Sequence, residues 1–487
     1  MKIFRYLSLV LLPLLASACG NSWLDLEPST SAQTDGAIAR VGEVRYALNG
    51  VYSAMQSTDL YTGRVIYYAD LTGDDMQAVS ATKRTSSYYL FSNHAGNAPS
   101  GHWSGLYSII QSCNTILALI DGLPLEDATE DQRADYKGQT LALRALALFD
   151  LTRIFGYPYQ KDNGASLGVP IVTTLLGIGD KPSRNTVAEC YTAIIKDLTD
   201  ALPMLSGKYN KGRINRWAAM GLLGRVYLYK GENDKALQLS EDAIAGAEKE
   251  GYRLWTTAEY ESAWAYDASK DNKGEVLFEI VNLTTDSPGS SSLGYLNSAD
   301  GYSDYVVTSS FYALLKKDPD DVRMKAFKMA YDKKQKPTFA YVNKYRPQAG
   351  ETLQDANIPL IRLSELYLNA AEAAVKEEDN KKAVKYLDAI VKRANPAKTV
   401  KGETLTLDRV LTERRKELVG EGHRMYDIMR NGLTCVRYDV PSKDISSTEH
   451  LAGTYPTEYN RDYYRIILPI PKGEMDTNPN MIQNPGY

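Results

Sequence analysis

Ala218-Ala-Met-Gly-Leu-Leu-Gly-Arg-Val-Tyr-Leu-Tyr-Lys230, then Gly231-Glu-Asn, then Asp234-Lys-Ala-Leu-Gln-Leu-Ser-Glu-Asp-Ala-Ile-Ala-Gly-Ala-Glu248, is the stretch that decides the fold. Both runs are rich in good helix formers, and their apolar residues recur at helical spacing. Gly231 between them ends the first helix and opens a tight turn, so the two runs predict a helical hairpin. Pro359–Lys376 and Asn380–Arg393 predict a second hairpin of the same layout.

Leu223-Gly224, Tyr227, Gly231 and Ala236 of the first hairpin resemble the tetratricopeptide pattern, in which small residues let paired helices pack closely. Leu366, Ala370, Ala371, Ala374 and Ala383 repeat it in the second. The two lie too far apart for a plain tandem array. Other amphipathic segments surround them. Residues 35–56 carry the stripe Val41, Val44, Leu48, Val51 and Met55, and Trp103–Leu119 and Glu130–Phe155 are helical. A further helix opens in Ser183-Arg-Asn-Thr-Val-Ala-Glu189 and runs to Leu202, and Leu407–Arg430 reads as one helix. Residues 57–102 and 252–350 break the pattern with Gly, Ser, Asp and Tyr and only short β-type runs such as Glu275–Val281. The fold class expected is therefore mainly α: a tetratricopeptide-like helical-hairpin scaffold over 35–56, 103–248 and 359–430. Long irregular, partly β insertions at 57–102 and 252–350 would form a ligand-binding half.

The N-terminus reads as a secretory signal over residues 1–18. Lys2 and Arg5 precede the apolar run Leu9–Leu15, and Ala16-Ser17-Ala18 stand before Cys19. The apolar run is too short to span a bilayer. A cysteine at the cleavage junction can carry acyl chains, so Cys19 is the expected lipid-attachment site, and residues 19–487 are expected to form a single binding domain. The net charge is −4 with no basic block, which argues against nucleic acid. The other cysteines, Cys113, Cys190 and Cys435, are few and far apart; no disulfide framework or CxxC metal spacing is expected. The 35 tyrosines, against 8 Phe and 5 Trp, favour a residue with a flat apolar face and a polar tip.

Catalytic motifs do not survive their context. Gly164-Ala-Ser-Leu-Gly168 matches a nucleophile elbow, but a loop precedes it and Val169-Pro170 follows, where a strand and a helix are needed. His94, His102, His423 and His450 form no metal-binding motif, and neither a P-loop nor GxGxxG is present. Glu417 and Glu421 lie one turn apart, but Arg414, Arg424 and Arg430 stand three residues from Glu417, Glu421 and Asp427. A carboxylate beside Arg makes a poor general acid, so this helix predicts an ion network rather than catalysis. No cofactor and no metal are expected.

The chain resembles the SusD/RagB family of nutrient-binding outer-membrane lipoproteins from Bacteroidetes. The resemblance rests on Cys19 with Trp23-Leu-Asp-Leu-Glu-Pro28, Trp103 with Tyr107 and Asn114, Leu141–Leu151 through Phe155-Gly-Tyr-Pro158, and Gly168-Val-Pro170. It continues through Arg184, Asp197-Leu198, Leu202-Pro203, Gly212-Arg213 and Ala218-Ala219. It ends with Arg362–Glu372, Glu413–Leu418, Glu421-Gly-His-Arg424, Leu468-Pro-Ile-Pro471 and Gln483-Asn-Pro-Gly-Tyr487. The resemblance implies a surface-exposed, lipid-anchored outer-membrane protein that is not an enzyme. Such a protein captures an oligosaccharide or a peptide and delivers it to a SusC-like TonB-dependent transporter. A helical glycoside hydrolase, for which the loop acids Asp74 and Asp75 remain candidates, and a pure protein–protein scaffold are the rivals. Ligand contacts are expected on loops that place Tyr beside Asp or Asn, within 57–102 and 282–346. Asp75, Tyr88, Tyr89, Tyr295, Tyr302 and Tyr305 are the expected ligand-binding residues.

Overall fold

Helix starts follow local chemistry in the computed structural model, which describes residues 38–487 apart from 178, 266–273, 442–449, 452 and 454. Cys19 and the signal segment lie outside the described residues. α1 (Val44–Met55) buries the expected stripe Val44, Leu48, Val51 and Met55. α2 (Arg64–Leu71), β1 (Met76–Ala78) and α3 (Ser86–Tyr89) follow in the first insertion. The helix at α2 was not expected from the sequence. Every residue from Val65 to Leu71 is buried, so no polar face marks its period.

α4 (Ser100–Leu119) packs on α5 (Glu130–Phe155), which in turn packs on α6 (Val187–Ala201). Thr129 with Gln132 and Thr186 with Glu189 form reciprocal capping boxes that fix where α5 and α6 begin. α7 (Arg216–Lys230) and α8 (Asn233–Lys249) are the first predicted hairpin. The second insertion supplies β2 (Val276–Ile280), α9 (Leu293–Asn297), β3 (Tyr305–Val307), β4 (Phe327–Tyr331) and β5 (Pro337–Val342). The chain returns through β6 (Ile358–Arg362) into α10 (Leu363–Lys376) and α11 (Asn380–Ala394), the second hairpin. The predicted helix start at Pro359 is corrected: residues 358–362 pair with β2 as a strand. α10 packs directly on α8, so the two hairpins stack although a long insertion separates them in sequence. At Gly221 on α7 a Cβ would lie 2.8 Å from the Leu366 side chain on α10, a close approach only glycine permits.

α12 (Leu407–Leu418) and α13 (Arg424–Arg430) correct the single helix expected over 407–430. Gly420 and Gly422 between them have φ of 80° and 79°, a left-handed backbone that breaks the helix. The Gly422 amide then donates to the buried Asp70 carboxyl at 2.9 Å. A short ribbon, β7 (Cys435–Val436) with β8 (Glu458–Tyr459), precedes the tail. The two insertions are joined to each other: β1 runs antiparallel to β3, Met76 opposite Val307 and Ala78 opposite Tyr305. Among the described residues no helix is long and apolar enough to cross a membrane.

Candidate functional site

The charged helix region predicted to form an ion network does so, but with different partners. Arg414 binds Asp427 at 2.7 Å rather than Glu417, and Arg424 binds Asp74 rather than Glu421. Arg430 keeps its expected contact with Asp427 and also grips Glu372. Arg362, from the end of β6, supplies Glu421 with two N–H donors at 2.7 Å and reaches Glu417 at 3.2 Å; Arg393 lies 2.6 Å from Glu417. Burial opposes ionisation of Glu417, but Arg393, Arg362 and Arg323 override it and hold the carboxyl well below the usual range. Burial likewise works against Glu421, and Arg362 and Lys344 hold it down. None of these acids is poised to donate a proton at neutral pH.

The loop acids are engaged in the same way. Asp75 is fully buried and accepts from Arg415 at 3.0 Å, with Arg424 3.3 Å away. Asp74 accepts from Arg424 at 2.6 and 2.9 Å. Burial raises the cost of its charge, yet Arg424 and Arg415 keep it ionised. Asp75 is therefore corrected as a ligand contact: it fixes the first insertion to α12 and α13. Ser166 of the elbow-like motif sits in a loop without the strand-to-helix turn such a nucleophile needs. Cys113, Cys190 and Cys435 are free and buried. Among the described residues no group of three or more His, Cys, Asp or Glu is placed to hold a metal ion.

Most of the insertion tyrosines are interior. Tyr61, Tyr67, Tyr68, Tyr88, Tyr89, Tyr305, Tyr341 and Tyr345 are all buried. Tyr88 meets His102 Nε2 at 2.9 Å and packs edge-on against Tyr67 and Tyr68. Tyr89 stacks on His450, bonds its Nδ1, and lies under the Arg437 guanidinium at 4.1 Å. Tyr305 pairs across β1–β3 and packs on Tyr67. Tyr88, Tyr89 and Tyr305 are thus corrected from ligand contacts to the packing that joins the insertions to the scaffold. Their hydroxyls tolerate burial where they find partners inside.

Tyr295 and Tyr302 are different: Tyr295 is half-buried and Tyr302 is 37% exposed. The loop doubles back, with the Tyr302 amide donating to the Tyr295 carbonyl at 2.9 Å. A Cβ on Gly301 would lie 2.0 Å from that carbonyl, so the turn requires glycine. The two rings meet edge-to-face with centroids 4.9 Å apart. Arg84 extends from the first insertion, just before α3, and lays its guanidinium 4.1 Å from the Tyr302 ring centre. Its Nη1 donates to Ser291 Oγ at 3.1 Å, and its backbone amide donates to Asp304 at 3.2 Å. Lys83 donates to the Tyr302 carbonyl and lies 3.6 Å from Asp304. Hydrogen bonding with Ser290, whose Oγ accepts from the Tyr302 hydroxyl at 3.4 Å, and with Arg84 shifts that exposed hydroxyl below its ordinary pKa. The result is a rigid surface platform: an open aromatic ring and a cation, with serine hydroxyls from residues 290 and 291 beside them. Residues from the two insertions meet here because β1–β3 zips those insertions together. The sequence reading did not find Arg84, Ser290 or Ser291. Their only signal was Lys-Arg within a Thr/Ser-rich run and three consecutive serines, neither of which has a period.

A family model described as "SusD family" matches residues 201–487, and one described as "Starch-binding associating with outer membrane" matches residues 22–228. The chain belongs to the SusD family. A crystal structure from Bacteroides vulgatus ATCC 8482, provisionally described as a sugar-binding protein, is 63% identical, with a TM-score of 0.89 over 93% of this chain and 99% of that one. A SusD-like protein from Bacteroides ovatus is 24% identical over 79% of this chain and 81% of its own length. The starch-binding protein SusD of Bacteroides thetaiotaomicron is 33% identical over 29% of this chain and 24% of its own length. The last of these is named for binding starch, and the mainly helical architecture is shared with solved SusD-superfamily structures.

Proposed function

We propose that this SusD-family chain captures an oligosaccharide on the Tyr295–Tyr302–Arg84 platform at the cell surface and hands it to a SusC-like TonB-dependent transporter. Acyl chains on Cys19 anchor the protein to the outer membrane, and residues 19–487 act as one binding unit without catalytic activity. The observation that carries this reading is the platform itself. A pyranose ring offers an apolar face ringed by hydroxyls, and it is recognised by a flat aromatic surface with fixed polar groups at its edge. Tyr302 supplies the ring, with the Arg84 guanidinium laid over one face, the hydroxyls of Ser290 and Ser291 lie beside it, and the Gly301 turn holds the loop in place before ligand arrives. The absence of catalysis is supported by the clamped acids. Glycoside hydrolysis needs one carboxyl that stays protonated near neutral pH beside a second one. The carboxylates of Glu417, Glu421 and Asp74 are instead held ionised by arginines, and Asp70, whose carboxyl burial raises, is 1% exposed and accepts from the Gly422 amide inside the fold.

The test has two arms. Purified protein is titrated with α-1,4-glucan, β-1,3-glucan, β-1,4-mannan and arabinan oligosaccharides, with released reducing ends followed in parallel. Binding without turnover is expected, and turnover of any panel member overturns the non-catalytic reading. Tagged protein is also purified in detergent from native outer membranes. A large β-barrel should accompany it, and repeated absence of one removes the transporter from the account.

A further inference from the structure

A second aromatic cleft lies at the other end of α3 from the platform. It encloses about 810 Å³ between the β7–β8 ribbon and the tail, and is lined by Thr434, Glu458, Asn460, Tyr463, Tyr464 and Arg465 among others. Its floor is rigid. Tyr463 packs edge-on against Phe91 with centroids 5.3 Å apart, and Tyr464 against Tyr487 at the same distance. Arg465 donates to the Tyr464 hydroxyl at 2.6 Å and to the Phe91 carbonyl, which ties Tyr464 to the second residue beyond α3. Tyr463 and Tyr464 are half-buried, while Thr434, Glu458 and Asn460 are exposed around them. Among the described residues the Tyr463 hydroxyl, the Thr434 hydroxyl, the Glu458 carboxylate and the Asn460 side-chain N–H groups are committed to no protein partner. Packing accounts for the rings, and the four polar groups set round them stay open to solvent, where the hydroxyls of a ligand can replace their water.

We infer that this cleft is a second glycan subsite, taking the distal sugars of a chain whose first sugar rests on the Tyr302 platform; the inference rests on the proposed role of that platform. Fixed tyrosine faces bordered by free hydroxyl, amide and carboxylate groups are the chemistry that recognises a neutral sugar. The placement supports a continuous ligand. Arg84 and Phe91 are seven residues apart, so their Cα atoms are separated by no more than about 25 Å, and α3 between them shortens the path.

Calorimetry of wild type, Tyr302→Ala, Tyr463→Ala and the double variant Glu458→Ala/Asn460→Ala tests it. The probes are trisaccharides and octasaccharides of the same four glycan classes, and circular dichroism and melting curves confirm folding. The double variant, confined to exposed side chains, should lose about tenfold in affinity for the octasaccharide that binds, with less than about a twofold change for its trisaccharide. Tyr463→Ala should show the same length dependence, and Tyr302→Ala should weaken both lengths. Octasaccharide affinity unchanged in both cleft variants, with Tyr302→Ala still damaging, overturns the second subsite and leaves the platform standing. Loss in the cleft variants at both lengths with Tyr302→Ala silent supports the cleft as a glycan site and removes the platform. If no panel member binds wild type at millimolar concentration, both are overturned.

Discussion

Arg362→Met removes the centre of the buried ion network and should destabilise the protein heavily at neutral pH. Arg362 is 1% exposed and serves three carboxylates: Glu421 through two bonds of 2.7 Å, Glu275, and Glu417 at 3.2 Å. Without it, among the described residues, Glu421 retains only the Lys344 ion pair at 2.6 Å, while Glu275 and Glu417 share Arg393, with Arg323 3.8 Å from Glu417. Breaking a buried pair by deleting one partner costs about 3–5 kcal/mol, because the surviving charge stays out of water. The pH dependence has a definite sign. Burial disfavours the Glu417 and Glu421 carboxylates, but the network, with Arg362 prominent in it, sets their folded pKa values below the ordinary glutamate value of 4.5. The stabilisation is therefore present above the unfolded glutamate pKa and is lost as pH falls through the folded values. The gap between wild type and Arg362→Met should be widest near pH 7 and narrow below about pH 4.5. Urea unfolding followed by tryptophan emission measures it, with Trp264 4.9 Å from the Arg362 guanidinium as a local reporter. Arg40→Met, which breaks an exposed bridge to Glu43, serves as the control and should not shift the midpoint measurably. A loss below about 1 kcal/mol at pH 7, or a gap that widens toward acid, would refute the network argument.

Asp70 has the opposite sign: burial pushes its carboxyl up to about 8 from the ordinary aspartate value of 3.8, so folding keeps a proton that the unfolded chain releases. Its contribution to stability therefore falls as pH rises from about 4 to 8. Asp70→Asn, which keeps an acceptor for the Gly422 amide, should be neutral or stabilising at pH 7–8, and a clear loss of melting temperature there would contradict this. Gly422→Ala should cost about 1–3 kcal/mol in urea unfolding, since φ is 79° and the new Cβ would sit 3.0 Å from the Ile66 carbonyl; an unchanged midpoint would show that the 419–423 break is not held as described. Cys19→Ala should leave the protein soluble or retained with its leader uncleaved, and normal outer-membrane fractionation in cells lacking the transporter would remove the lipid anchor.

The scaffold is legible in the sequence where helices such as α1 and α11 pack on one face and expose the other. Glu130–Phe155, buried on nearly every side from Gly138 on, is legible instead as a long Ala/Leu-rich run stopped by Gly156 and Pro158, and both hairpins are legible within a few residues. Legibility fails where a fully buried run is short or where a strand borrows helical composition. α2 is apolar on every side, and Pro359–Arg362 carries no period that separates a strand from a helix start. The ion network was anticipated from i,i+3 spacing, but its real partners come from β6 and the first insertion, which local spacing cannot see. The candidate site was legible only in part. Tyrosine beside Asp in a loop looked the same at positions 75, 88, 89 and 305, which are interior, as at 295 and 302, which are not. What separates them is the β1–β3 pairing and the Gly301 turn, both non-local. Arg84 meets Tyr302 across more than 200 residues of chain.

The affinity of Tyr302→Ala for the oligosaccharide that wild type binds tests the central claim most directly. Calorimetry on folded protein should show a loss on the order of ten- to a hundredfold, the usual cost of removing one stacking aromatic, while the interior variant Tyr88→Phe binds as wild type does. Unchanged affinity in Tyr302→Ala, with the melting curve intact, would contradict the assignment of sugar capture to this platform.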